Sequence, residues 1–308
     1  MRKMTWKSLG WLMMCLCALT FTACSGDDGD SGSNANNGNN NSGSDNNNGT
    51  NTTTSTFKGA KAVFGNNLVK EIREVDEDGS YESWTFTYDA NGYVTEVQSG
   101  EDGVNDIKVA LTYGNSPSAT RYDEKGNPTA RFPFYVSSNG FLSKWEFVDD
   151  KGNAEYVNYT YNSDGQIKTI AWGDKNGIDE TLTLTYQDGD IVKVVVTDDD
   201  GESESWDIFY STATQQPILN TAGVMEFDHS LGIDMDDASI IYCLGALGKG
   251  TKHLPLTYTQ RHDNSTKTVT NEWKLDSSGR VVQLTYKSLR KYSDGYEYTS
   301  TKNYYWKW

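Results

Sequence analysis

The stretch Tyr88-Asp89-Ala90-Asn91-Gly92-Tyr93-Val94-Thr95-Glu96-Val97 decides the fold. Leading into it, Trp84-Thr85-Phe86-Thr87-Tyr88 alternates aromatic and threonine, the period-two pattern of a strand with one buried face. Asn91-Gly92 is a hairpin signal, because tight turns need a positive φ that glycine adopts without steric cost. After the turn the pattern becomes Gly-x-apolar-x-x-apolar. A three-residue apolar spacing inside a strand breaks strict alternation, and a bulge just past the turn restores it.

The same grammar recurs along the chain. Val109-Ala110-Leu111-Thr112-Tyr113, Val157-Asn158-Tyr159-Thr160-Tyr161 and Leu182-Thr183-Leu184-Thr185-Tyr186 alternate in the same way. Gly140-Phe141-Leu142-Ser143-Lys144-Trp145, Gly165-Gln166-Ile167-Lys168-Thr169-Ile170 and Gly279-Arg280-Val281-Val282-Gln283-Leu284 repeat the post-turn signature. About sixteen candidate strands fit between Phe57 and Trp308. Short connections force sequential antiparallel neighbours. The expected class is all-β: a large up-and-down antiparallel meander of about 14–16 strands, forming a barrel-like or flattened-barrel sheet. So wide a barrel with an apolar inner face would be hollow unless it flattens or takes in a plug.

A plug or lid is available in the insertion at about 215–250, where the β pattern lapses. Asp236-Asp237 can cap a helix over about 238–247, and Ile240, Ile241, Leu244 and Leu247 then share a face. Gly248 is a plausible stop. Cys243 in this run reads as an inert, buried small hydrophobe.

The N-terminus carries an address. Arg2, Lys3 and Lys7 precede an apolar run from Leu9 to Ala23 that is too short to span a bilayer comfortably. Phe21-Thr22-Ala23-Cys24 reads as a lipobox, so residues 1–23 are expected to be a lipoprotein signal peptide and Cys24 the lipidated residue. Residues 24–56, rich in Asn, Gly, Ser and Asp, are expected to be a disordered tether, and 57–308 the β-meander domain. Ser25-Gly26-Asp27-Asp28-Gly29-Asp30 resembles the acidic export signal of Bacteroidetes-type lipoproteins. The expectation is an outer-membrane protein, lipid-anchored through Cys24 and facing the cell exterior. Of four cysteines, two leave with the signal and one is lipidated, so the domain stands on its hydrophobic core rather than on disulfides.

These features together resemble a family of Bacteroidetes surface lipoproteins of unknown function with a porin-like fold. The resemblance is carried by the lipobox, the acidic tether, the Tyr…Gly hairpins, and Tyr242-Cys243-Leu244-Gly245-Ala246-Leu247-Gly248-Lys249-Gly250 running into His253-Leu254-Pro255-Leu256-Thr257-Tyr258. It implies a large antiparallel barrel-like sheet and no known activity, and it supplies no functional residues. Tyr88-Asp89-Ala90-Asn91-Gly92 also resembles the Tyr-Asp-x-x-Gly opening of YD-repeat hairpins.

No sequence motif announces catalysis. His229, His253 and His262 show no metal-ligand spacing, and no nucleophile elbow or phosphate loop is present. Asp198-Asp199-Asp200-Gly201-Glu202 lacks the full ligand spacing of a calcium loop and reads as a solvated turn. No cofactor, no metal and no catalytic residue is expected. With Lys+Arg 27 against Asp+Glu 43 and a net charge of −16, nucleic acid is a poor partner. Trp84, Trp145, Trp206 and Trp273 fall on the core face, while Tyr156 and Tyr305 fall on the opposite one.

The expected role is a non-catalytic binding or structural module with a glycan or surface-protein ligand. One alternative is a membrane-embedded pore, since Tyr296, Tyr298, Tyr304, Trp306 and Trp308 share a face at the C-terminal end. Strands read as roughly seven to nine residues, short of the 9–11 that span a bilayer, weigh against it. The other alternative is a hydrolase whose carboxylates converge only in three dimensions.

Overall fold

A computed structural model describes residues 56–148, 154–198, 201–210, 244–262 and 264–308. Cys24, the tether, His229, Cys243 and the 238–243 part of the expected helix lie outside these residues.

Among the described residues, a short helix α1 (Gly59–Phe64) is followed by sixteen strands. The first eight are β1 (Glu71–Val75), β2 (Tyr81–Tyr88), β3 (Val94–Glu101), β4 (Val104–Thr112), β5 (Ser118–Tyr122), β6 (Pro128–Val136), β7 (Leu142–Val148) and β8 (Ala154–Tyr161). The rest are β9 (Ile167–Asp174), β10 (Gly177–Gln187), β11 (Asp190–Asp198), β12 (Gly201–Phe209), β13 (Thr257–His262), β14 (Ser265–Leu275), β15 (Val281–Tyr292) and β16 (Glu297–Lys307). Each pairs antiparallel with its chain neighbour, and β1 pairs with β16 to close a sixteen-stranded up-and-down barrel. The strands run from 5 to 12 residues, a wider spread than the sequence suggested, with the longest in the β14–β16 hairpins.

The bulges fall where the post-turn signature places them. Thr87 faces Glu96 but Tyr88 faces Val94, leaving Thr95 as the extra residue. The same skip occurs at Ser143, Lys168, Val192 and Val282. It lets both apolar residues of the signature point inward, so Val94 and Val97, Ile167 and Ile170, and Val281 and Leu284 are all buried. The turns are closed by side chains: Asp89, Asp123, Asn162 and Asp276 each accept two backbone N–H bonds across the turn.

Tyrosines tie one hairpin to the next. Tyr88, Tyr113, Tyr161, Tyr186 and Tyr210 each donate to a carbonyl 19 residues back, on Val69, Val94, Leu142, Ile167 and Ile191. Four of these acceptors are the first apolar residue of a post-turn signature, where the bulge interrupts the ladder. Burial pushes the Tyr113, Tyr161 and Tyr210 hydroxyls well above the usual tyrosine range, so they stay protonated as donors. Tyr161 also reaches the carbonyl of Ala246 at 3.2 Å. Tyr161→Phe removes the hydroxyl donor from the Leu142 carbonyl, while Ala246 keeps the Leu142 N–H, and should cost about 1–3 kcal/mol in urea unfolding.

Two segments cross one end of the barrel. Lys58 and Lys61 donate backbone N–H bonds to Gly140 and Gly92. Leu142 donates to Ala246, while Lys249 and Lys252 donate to Gly165 and Gly189. Leu244, Ala246, Leu247 and Leu254 join Phe57, Phe64 and the inward strand residues in one continuous apolar cluster. The insertion therefore supplies the plug, but Leu244–Leu247 form a turn rather than a helix. Gly245 and Gly248 take φ of 72° and 75°, which a right-handed helix does not allow.

The wall is apolar inside and polar outside. Lys307, Glu71, Thr85, Gln98, Lys108 and Tyr122 form one cross-strand row on the outward face. Thr301, Lys287, Thr270 and Thr257 form another. Trp206, Tyr258, Ile72, Ile170 and Leu182 are fully buried on the inward face. Tyr156 and Tyr305 do lie on the outward face. Tyr156 is occupied there, with Lys144 Nζ 4.7 Å from its ring centroid and its hydroxyl donating to Gly177.

Candidate functional site

The end opposite the plug is the mouth. There the inward face changes from apolar to polar, and the strands β12–β16 carry most of the change. Register sets two rows of side chains across these five strands. The deeper row is Trp206, Gln260, Lys267, Arg290 and Tyr298. The row nearer the rim is Glu204, His262, Ser265 and Tyr292. Directly opposed residues of an antiparallel pair have Cβ atoms about 4.5–5.5 Å apart, so each row is continuous.

Glu204 organises the β12–β13 part. Its Oε1 lies 2.5 Å from His262 Nδ1, and its Oε2 accepts from Gln260 Nε2 at 3.0 Å. That arrangement aims the other ends of both side chains elsewhere. His262 Nε2, Gln260 Oε1 and Trp206 Nε1 are buried with no hydrogen-bond partner among the described residues. Polar groups in native interiors are mostly satisfied, so three on one patch of wall mark a place built for something other than packing.

Lys267 and Arg290 are directly opposed like charges. Lys267 Nζ sits 5.4 Å from the centroid of the Tyr286 ring, and neither cation has an acidic partner within ion-pair distance among the described residues. Other cations near the mouth are paired: Lys291 with Glu297 at 2.8 Å, and Lys302 with Glu74 and, at 3.7 Å, Asp76.

The rim is raised on one side. β16 continues past Val75, the last residue of β1, and Glu77 Oε1 accepts from the Thr301 amide on that edge. The β15–β16 hairpin therefore stands above its neighbour as a flap. Its lumen-side face bears Tyr292, Tyr296 and Tyr298, which are 38%, 60% and 53% exposed. The Tyr292 and Tyr296 rings are 5.6 Å apart and tilted by 41°. The sequence put Tyr296 and Tyr298 on one face with Tyr304 and Trp306; the hairpin carries that face beyond the core into solvent.

Farther round the mouth, burial and then the negative charges of Glu74 and Glu101 raise the pKa of Glu82. Burial alone would lower Lys302, but Glu74, Asp76 and Glu82 outweigh it and the net shift is upward. A carboxyl raised above its ordinary value of 4.5 favours the folded state only while protonated, and that contribution is lost as pH rises through the folded pKa. Glu82→Gln should therefore raise the melting temperature at pH 7, with the gain fading below about pH 4.5. Melts across that range check it.

His253 lies at the plugged end, where its Nδ1 is 2.7 Å from Asp190 Oδ2. Thr251 Oγ1 binds the same carboxylate and receives the Ile191 amide. This group fastens the plug and is remote from the mouth. Part of the acidic run at 198–202 lies outside the described residues. Opposed inward carboxylates do occur, at Glu82 with Glu101 and at Glu180 with Asp198. The Lys267–Arg290 pair and the tyrosine flap were missed from sequence; strand alternation held the signal, but only the register of β13–β16 aligns it.

Comparison with known proteins agrees with this architecture. A family model described as a domain of unknown function (DUF4595) with porin-like fold matches residues 98–291, more than half of the chain. The crystal structure of a porin-like protein from Bacteroides uniformis superposes with a TM-score of 0.60 at 17% identity, covering 77% of this chain and 95% of that one. A Photorhabdus luminescens Tc holotoxin pore aligns with a TM-score of 0.29 at 15% identity, covering 71% of this chain and 10% of that one. No curated protein matches the sequence.

Proposed function

The chain belongs to the family described as a domain of unknown function (DUF4595) with porin-like fold, and from that premise we propose that it is a non-catalytic, lipid-tethered binding module that takes its ligand at the mouth of a filled barrel. The observation that carries this reading is the polarity of the wall. A membrane pore needs an apolar outward band and a wet lumen. Here the outward rows carry Lys, Glu, Gln and Thr, and Trp206, Tyr258 and Ile72 fill the inside. With the far end crossed by the plug, the mouth is where inward polar groups meet solvent.

Lipidation at Cys24 gives the module an orientation. Phe57 enters at the plugged end, where Lys58 bonds to the Gly140 turn. An anchor at Cys24 therefore draws the plug toward the lipid and leaves the mouth facing away, outward from an outer membrane. Glycans suit the mouth because tyrosine rings stack on sugar faces while their hydroxyls bond to sugar hydroxyls.

The mature chain with Cys24→Ser tests this reading. It should be a monodisperse monomer by light scattering in detergent-free buffer, and should give no conductance in planar bilayers. Solubility only in detergent, or stepwise conductance, would replace the binding module with a pore.

A further inference from the structure

We propose that the ligand is an acidic saccharide, its carboxylate or sulfate held between Lys267 and Arg290 and its ring laid against the tyrosines of the β15–β16 flap. The proposal rests on the mouth being a binding site and adds the ligand's charge and contacts.

The cation pair is the first observation. Like charges directly opposed across two strands are destabilising. The chain has 43 acidic residues to 27 basic ones, so carboxylate partners were available in abundance. Lys291, Lys287 and Lys302 use them, with Glu297, Glu272 and Glu74. Among the described residues Lys267 and Arg290 have no such partner, and both are half-buried on the lumen face. An arginine fork beside a lysine supplies the two kinds of donor that carboxylate and sulfate groups accept from.

The second observation is what flanks the pair. On one side, Tyr298 is directly opposite Arg290, and Tyr292 and Tyr296 stand one step nearer the rim. On the other, Gln260 is directly opposite Lys267 and its Oε1 has no partner among the described residues, with His262 Nε2 beside it. An anion bound at the pair thus has aromatic rings to one side and unspent polar groups to the other. Glu204, the nearby carboxylate, has both oxygens engaged along the wall, Oε1 by His262 Nδ1 and Oε2 by Gln260 Nε2. The overall negative charge acts weakly at this range, because screening at physiological salt limits it to about 8 Å.

Size and charge decide against other occupants. Three tyrosines on one hairpin fall far short of the roughly 800 Å² per partner of a stable protein interface. Nucleic acid would meet two cations on a protein of net charge −16.

Isothermal titration of the mature chain carrying Cys24→Ser is the test. The probes are tetragalacturonate, a sulfated dextran oligomer, and the neutral cellotetraose and unsulfated dextran oligomer. At least one acidic probe should bind about tenfold or more tighter than its neutral counterpart, with an affinity that falls as salt rises. Which acidic probe wins tells carboxylate from sulfate. Lys267→Gln and Arg290→Gln should each cost about tenfold in that binding, with melting temperature unchanged or higher. Tyr298→Ala, at an exposed site, should weaken acidic and neutral probes alike. Equal binding of acidic and neutral probes, sensitive to Tyr298, would overturn the charge proposal and leave the binding module standing. No binding by any probe would overturn the saccharide itself, and bilayer conductance would then decide whether the module reading falls with it.

Discussion

Gly248→Ala is expected to cost about 3 kcal/mol and to loosen the plug, summing a positive-φ penalty of about 1 kcal/mol and an overpacking penalty of about 1–3 kcal/mol. Gly248 has φ of 75°, and a Cβ there would sit 2.2 Å from the carbonyl oxygen of Gly165. That oxygen is the acceptor for Lys249, the bond that seats the plug on the β8–β9 turn. Neither side can retreat easily, because Gly165 is itself held in a turn closed by Asn162. Gly79 is the control: its φ is 91°, but a Cβ there meets nothing within 4 Å. Gly79→Ala should therefore show the conformational cost alone, about 1 kcal/mol. Urea unfolding of the two variants separates contact from conformation. Equal losses would mean that the plug yields freely and does not hold the barrel end.

Trp206→Ala should cost more, about 3–5 kcal/mol. Trp206 is 1% exposed and is the largest of the fully buried side chains. It sits where β12 and β13 pair, opposite Gln260, with Ile208 and Val194 around it in the same cluster. No rearrangement of the strand ladder can refill so large a gap, so the lost contacts are not recovered. Trp206→Phe should cost less than half as much, because it keeps most of the ring and also removes the unpartnered Nε1–H. Urea midpoints for the pair test this ordering; if Phe costs as much as Ala, the indole N–H has a partner in solution. In ligand titrations, Trp206→Ala should also weaken binding at the mouth, since Gln260 and Lys267 lose the wall that positions their row.

The strand grammar alone determines a great deal here. Alternation in Trp84–Tyr88, the Asn-Gly and Asp-Gly turns, and the apolar-x-x-apolar spacing after them specify antiparallel hairpins with one buried face and a bulge. These are local properties: φ at a glycine and the two-residue period of a strand do not depend on distant parts of the chain. The same locality made the four core tryptophans legible.

Tertiary structure decided the rest, because it turns on register and closure. Whether β1 meets β16 depends on the summed twist and stagger of sixteen strands, not on any one of them. The plug looked helical because Leu244 and Leu247 share a helical face, yet it turns at Gly245 to follow the barrel end. Tyr298 shares the parity of the buried Trp306, but the flap lifts it past the point where core exists. Lys267 and Arg290 lie 23 positions apart with nothing local to join them. Only the pairing of β14 with β15 sets them side by side, where mutual repulsion makes them conspicuous.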